Sequence, residues 1–73
     1  MEFGQEVEEF MARYALRKDA IAYAATNAAV VGEKDEYGYQ ELFGHDPDGR
    51  RYRIILRRGE VIVHVRPVPD DDS

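Results

Sequence analysis

The tetrapeptide Asp46-Pro47-Asp48-Gly49 constrains this chain more than any other feature, because it stands between two extended runs and dictates how they meet. Proline suits the second position of a type I turn, and glycine takes the left-handed position that closes a bulged hairpin. With that turn, Asp46 lies opposite Arg50, and the register places Leu42 opposite Ile54, Phe43 opposite Arg53, Glu41 opposite Ile55 and Tyr39 opposite Arg57. A second turn falls around Arg58-Gly59. If those two residues form the loop, Leu56 faces Val61, Ile54 faces Val63 and Tyr52 faces Val65 on the core side. The opposite side then pairs Arg57 with Glu60, Ile55 with Ile62, Arg53 with His64 and Arg51 with Arg66.

Upstream of the hairpin the apolar period changes. Phe3, Val7, Phe10, Met11 and Tyr14 recur at helical spacing, with Glu2, Glu6, Glu8, Glu9 and Arg13 mostly on the other side. Asp19 fits the N-cap of a second helix, AIAYAATNA, whose Ile21, Ala24, Ala25 and Ala28 give a face of small residues. Val30, Val31 and Gly32 read as a short strand, then a charged turn runs from Glu33 to Glu36, and an extended stretch from Tyr37 to His45. The expected fold is α+β, two N-terminal helices packed on a three- to four-stranded antiparallel sheet. A chain of 73 residues buries only about 60% of its unfolded surface and builds one core. Residues 1–68 therefore read as a single domain and residues 69–73 as an acidic disordered tail.

Charge is unevenly distributed. Residues 1–48 carry four Lys/Arg against eleven Asp/Glu, whereas residues 49–69 carry six arginines against Glu60 alone, and Asp70, Asp71 and Asp72 follow. The net charge of −5 disfavours a general duplex-DNA binder, which must neutralise several phosphates at once, but permits one bound anion or a short RNA segment. There is no cysteine for a disulfide or a thiolate metal site, and no serine before Ser73. His45 beside Asp46 and Asp48 lacks the spacing of a metal loop and is better read as turn chemistry. No metal or other cofactor is expected. Neither a secretory signal nor a membrane span can be drawn, so the expected setting is cytoplasmic, away from membranes.

One surface carries chemistry in this reading. Arg51, Arg53, Arg57, Arg66 and His64 share the side of the sheet away from the core, next to Tyr39 and Phe43. Arginine forks bind phosphate oxygens in pairs, histidine exchanges a proton near neutral pH, and aromatic rings stack on bases. Such a face suits a metal-independent ribonuclease or an RNA-binding sheet, with His64 and Glu41 as the proton carriers. The same face also suits a non-catalytic, homodimeric module that binds an acidic partner, since Ile55 and Ile62 on the arginine side are easier to understand inside an interface. Arg51 opposite Arg66 calls for a carboxylate or a bound anion, with Glu41 one candidate. The acidic tail could pack onto its neighbour's basic face; removal of Asp70 to Asp72 would then strengthen anion binding.

The order helix, helix, antiparallel sheet, with ARYALRKDAIAYAATNA at residues 12–28 and ELFGHDPDGRRYRIILRRGEVIVHVRPV at 41–68, resembles a small uncharacterised domain family related to RelE/ParE-type and BrnT-type toxins. The resemblance spans residues 6–68. Such families commonly place a His-Ala pair and an arginine in the first helix, where this chain has Tyr14-Ala15 and Arg17. The resemblance implies a toxin-like endoribonuclease or translation inhibitor whose open sheet face meets RNA, the ribosome or an antitoxin. It implies active groups at Arg53, His64 and Arg66, with Arg17 contributed from the helices.

Overall fold

The computed structural model of the chain describes residues 2–58 and 60–69. The residues called an acidic tail lie outside this range from Asp70 onward. The elements follow in the order β1 (Glu2–Phe3), α1 (Gln5–Arg13), α2 (Lys18–Thr26), β2 (Val30–Val31), β3 (Tyr39–His45), β4 (Arg51–Arg57) and β5 (Val61–Pro67). The fold is α+β. All five strands form one sheet in the order β1-β5-β4-β3-β2. It is mixed rather than purely antiparallel, because β1 runs parallel to β5, with Glu2 beside Val61 and Phe3 beside Ile62.

Phe3 therefore belongs to a strand and not to the first helix. The amide of Gly4 donates to the Ile62 carbonyl at 2.8 Å, and α1 starts from that fixed point. Val7 and Met11 are its buried residues, one turn apart. The helix stops through a Schellman motif: the Leu16 amide reaches the Met11 carbonyl at 2.8 Å and the Ala15 amide the Ala12 carbonyl at 3.3 Å. Ala15 holds the left-handed position of this motif, at φ 55°, where glycine is usual. Helix α2 begins earlier than the sequence reading placed it. Arg17 is its N-cap and Asp19 lies inside the first turn, where its carboxylate accepts the Ala20 amide at 2.9 Å.

The first hairpin has the register expected from its turn, from Tyr39 opposite Arg57 to His45 opposite Arg51. Gly49 takes φ 87°, and the Asp46 amide donates to the Arg50 carbonyl at 2.9 Å. Strand β3 starts at Tyr39 rather than Tyr37, because Gly38 turns at φ 86° and Asp35 Oδ1 collects the amides of Tyr37 and Tyr39 at 2.8 and 3.0 Å.

The second hairpin differs from expectation. Arg57 lies opposite Val61, so residues 58–60 connect the strands and Arg57 does not face Glu60. A bulge follows: Leu56 pairs with Ile62 but Ile55 pairs with His64, which leaves Val63 as the extra residue of β5. Beyond it Ile54 faces Val65, Arg53 faces Arg66 and Tyr52 faces Pro67. The physical reason lies in the run Val61-Ile62-Val63, which has no polar and apolar alternation to fix its pleat. The bulge lets Ile62 and Val65, three residues apart, both reach the core.

Val7 and Met11 of α1 and Ile21, Ala24 and Ala25 of α2 join Leu42, Tyr52, Ile54, Leu56, Ile62 and Val65 in one buried cluster. Gly44 sets how closely α2 can come. A Cβ there would stand 2.2 Å from the Ala24 carbonyl oxygen and 3.1 Å from Ala28 Cα, so only a residue without a side chain fits under the small-residue helix.

Candidate functional site: the sheet face away from the core

The pleat puts Gln40, Leu42, Tyr52, Ile54 and Leu56 on one side of the central strands and Tyr39, Glu41, Phe43, Arg53, Ile55 and Arg57 on the other. Rows across the second side follow from the register. One row is Phe43, Arg53, Arg66; the next is Glu41, Ile55, His64. Arg53 and Arg66 are thus directly opposed, which leaves about 4.5–5.5 Å between their Cβ atoms. The sequence reading had set Arg66 against Arg51 and His64 against Arg53. The shift at the turn and the bulge together move each by one row; Arg51 keeps His45 opposite it on β3, while on the β5 side its carbonyl accepts the Val68 amide.

Despite that shift, the three residues expected to be catalytic do come together. His64 sits diagonally from Arg53 and two residues from Arg66, and both guanidinium charges act on it. Burial first, then Arg53 and Arg66, push its pKa below the ordinary 6.5. All three influences favour the neutral imidazole. Its ring centroid stands 5.7 Å from that of Phe10, which in turn stands 4.6 Å from Tyr14. Sequence reasoning had read Phe10 and Tyr14 only as members of the apolar stripe of the first helix. Tyr14 is 53% exposed, and the strip it forms with Phe10 borders the arginine side of β5. Helical spacing gave the cue, because the apolar stripe was wider than a single core seam.

Glu41 answers the question of what lies among the arginines. Arg53 Nε donates to its Oε2, across one row of the sheet. Ile55, half-buried, lies beside this ion pair. A shallow groove of about 220 Å³ runs along it, lined also by Glu33, Asp35, Tyr39 and Gln40. Tyr39 and Phe43 are each 37% exposed, enough to offer a ring edge. Arg57 lies in the Tyr39 row. Arg51 Nη2 donates to the Pro69 carbonyl at 3.4 Å, while the Val68 amide donates to the Arg51 carbonyl at 2.9 Å.

Arg17 does not join the face. It bonds Asp19 twice, at 2.6 and 3.2 Å, and lines a cleft of about 430 Å³ with Tyr23, Pro47 and Asp48. Nor does the His45 region gather ligands. Asp46, although buried, spends both carboxylate oxygens on the turn: Oδ1 accepts the amides of Asp48 and Arg50 at 3.0 and 2.9 Å, and Oδ2 accepts the Tyr52 hydroxyl at 3.1 Å. Burial alone would raise its pKa, but these three bonds and the Arg50 charge outweigh it and hold the carboxyl below 3.8.

No protein-family model, curated protein or solved structure matches the chain. Among the described residues, no helix is long and apolar enough to cross a membrane.

Proposed function

We propose that the chain is a non-catalytic interaction module that docks an acidic protein surface on the sheet face built from Arg53, Arg66, His64 and Ile55. The observation that carries this reading is the Arg53–Glu41 ion pair next to Ile55. A carboxylate in the middle of the face repels a polyanion, as does a net charge of −5. A folded protein surface of mixed charge tolerates both. Ile55, Phe43 and Tyr39 supply the apolar contact that such an interface needs at its centre, with arginines around it.

Titration with an amphipathic helical peptide that carries glutamates beside leucines and lysines, followed by backbone amide NMR, tests this reading. Shifts confined to Arg53, Ile55, His64 and Arg66, lost in Arg53→Gln/Arg66→Gln, are expected. Shifts spread evenly over the molecule, or none, overturn it.

A second reading rests on a different observation, the placing of His64 on one face with Arg53 and Arg66, where burial and the two arginines push its pKa down. That pattern supports a toxin-like endoribonuclease or translation inhibitor in which His64 removes a ribose 2′-hydroxyl proton and Arg53 and Arg66 hold the phosphate. It is the weaker of the two, because the neighbouring carboxylate, Glu41, is bound to Arg53 and does not serve as the acid. Cell-free translation with mRNA integrity read on the same samples separates them: cleavage that Arg53→Ala/Arg66→Ala abolishes favours the nuclease, and intact mRNA with undiminished translation favours the module.

A further inference from the structure

We infer that the acidic surface recognised by this face is the α1 helix of a second copy of the same chain, joined front to back rather than by a two-fold axis. This rests on the reading of the face as a docking surface and names its partner.

The argument against two-fold pairing is electrostatic. An isologous contact sets each patch against itself, so the row of Arg53 and Arg66 in one copy would meet a face that carries the same two arginines. Like charges so placed oppose association, and Glu41 already satisfies Arg53 within its own chain. Among the described residues Arg66 has no ion pair, so a carboxylate from outside would be its first.

The chain carries such carboxylates elsewhere. Glu2, Glu6, Glu8 and Glu9 are all exposed on β1 and α1, and of these only Glu8 is engaged in an ion pair among the described residues, with Lys18 at 3.3 Å. Glu6 and Glu9 are three residues apart on the helix, which separates their Cβ atoms by about 5–6 Å. That interval matches the roughly 4.5–5.5 Å between opposed residues of an antiparallel pair, the relation of Arg53 to Arg66. Two carboxylates can therefore face the arginine row together, while Ile55 and Phe43 lie beneath the helix. Because the two patches differ, each added copy presents a fresh arginine face, and association does not close at two chains.

Sedimentation velocity over a concentration series, on the whole chain and three variants checked by circular dichroism, tests this. Arg66→Glu and Glu9→Lys change exposed side chains that the core does not use. The chain itself is expected to pass from monomer to dimer and larger species as concentration rises. Each single variant is expected to weaken this at least about tenfold. The double variant Arg66→Glu/Glu9→Lys exchanges the two charges and is expected to recover association. A monomer at every concentration, association indifferent to both single changes, or no recovery in the double variant overturns the inference. A monomer whose face still shifts with the amphipathic mixed-charge peptide would overturn this inference alone and leave the docking reading standing.

Discussion

Tyr52 donates its hydroxyl hydrogen to Asp46 at 3.1 Å, reaching from inside β4 to the first residue of the turn that precedes it. The turn is thereby tied to the core, since Tyr52 itself is only 2% exposed. Burial and the Asp46 carboxylate both raise the tyrosine pKa, which keeps the phenol a donor across the ordinary pH range.

The pH dependence of stability follows from the aspartate. A carboxyl whose pKa falls on folding contributes stability that is present above its unfolded value of 3.8 and is lost as pH falls through the folded value. Thermal melts of the chain are expected to drop steeply below about pH 4, and those of Asp46→Asn to start lower and change less. Equal slopes for the two proteins would contradict the assignment. At neutral pH Tyr52→Phe is expected to cost about 1 kcal/mol, read from urea unfolding.

His64 titrates in the same sense as Asp46, at higher pH. Its folded pKa is lowered, so its contribution is complete above 6.5 and declines as pH falls from there toward the folded value. An NMR titration should place its midpoint below 6.5, and Arg66→Gln should raise that midpoint partway, because burial remains. A midpoint that does not move would remove Arg66 from the surroundings of the ring.

The β-bulge makes a prediction that the simpler hairpin does not. With Ile62 fully buried and Val63 the extra residue, Ile62→Ala is expected to cost about 2–5 kcal/mol, and Val63→Ala distinctly less. Denaturant unfolding of the pair checks this. The reverse ranking would restore the register with Val61 and Val63 inward.

Ala15 offers a gain in stability. A residue with a Cβ in the left-handed region costs about 1 kcal/mol or somewhat more, and glycine does not incur it. Ala15→Gly is expected to raise the melting temperature while leaving α1 and α2 unchanged in amide shifts. A lower melting temperature would show that the unfolded-chain entropy of glycine outweighs the relief.

How much of this was legible in the sequence depended on whether a local signal fixed the geometry. The Asp46-Pro47-Asp48-Gly49 turn has one compact solution, and it carried every pair of the β3–β4 ladder with it. Residues 58–60 have no such signal, and the adjoining Val61-Ile62-Val63 reads equally well on either pleat, so the β4–β5 pairs slid and a bulge arose. Glu2-Phe3 was hidden for another reason. Phe3 precedes Val7 by four residues, which imitates a helical turn, and only a strand nearly sixty positions away converts it to β structure. At the site, residue types were readable and their neighbours were not: His64, Arg53 and Arg66 were expected on one face, but the Phe10 ring beside His64 depends on where α1 lies.

The pairing of β1 with β5 has a consequence for the order in which the domain can assemble during synthesis. Glu2 and Gly4 donate to the carbonyls of Glu60 and Ile62, and before β5 exists they have nothing to hold. The hairpin of β3 and β4 needs only neighbours in sequence and can form while the ribosome is still adding residues. The strand at the start of the chain must wait for the strand near its end. Until then α1 has no fixed starting point, and Val7 and Met11 stay open to water and to the cell's chaperones.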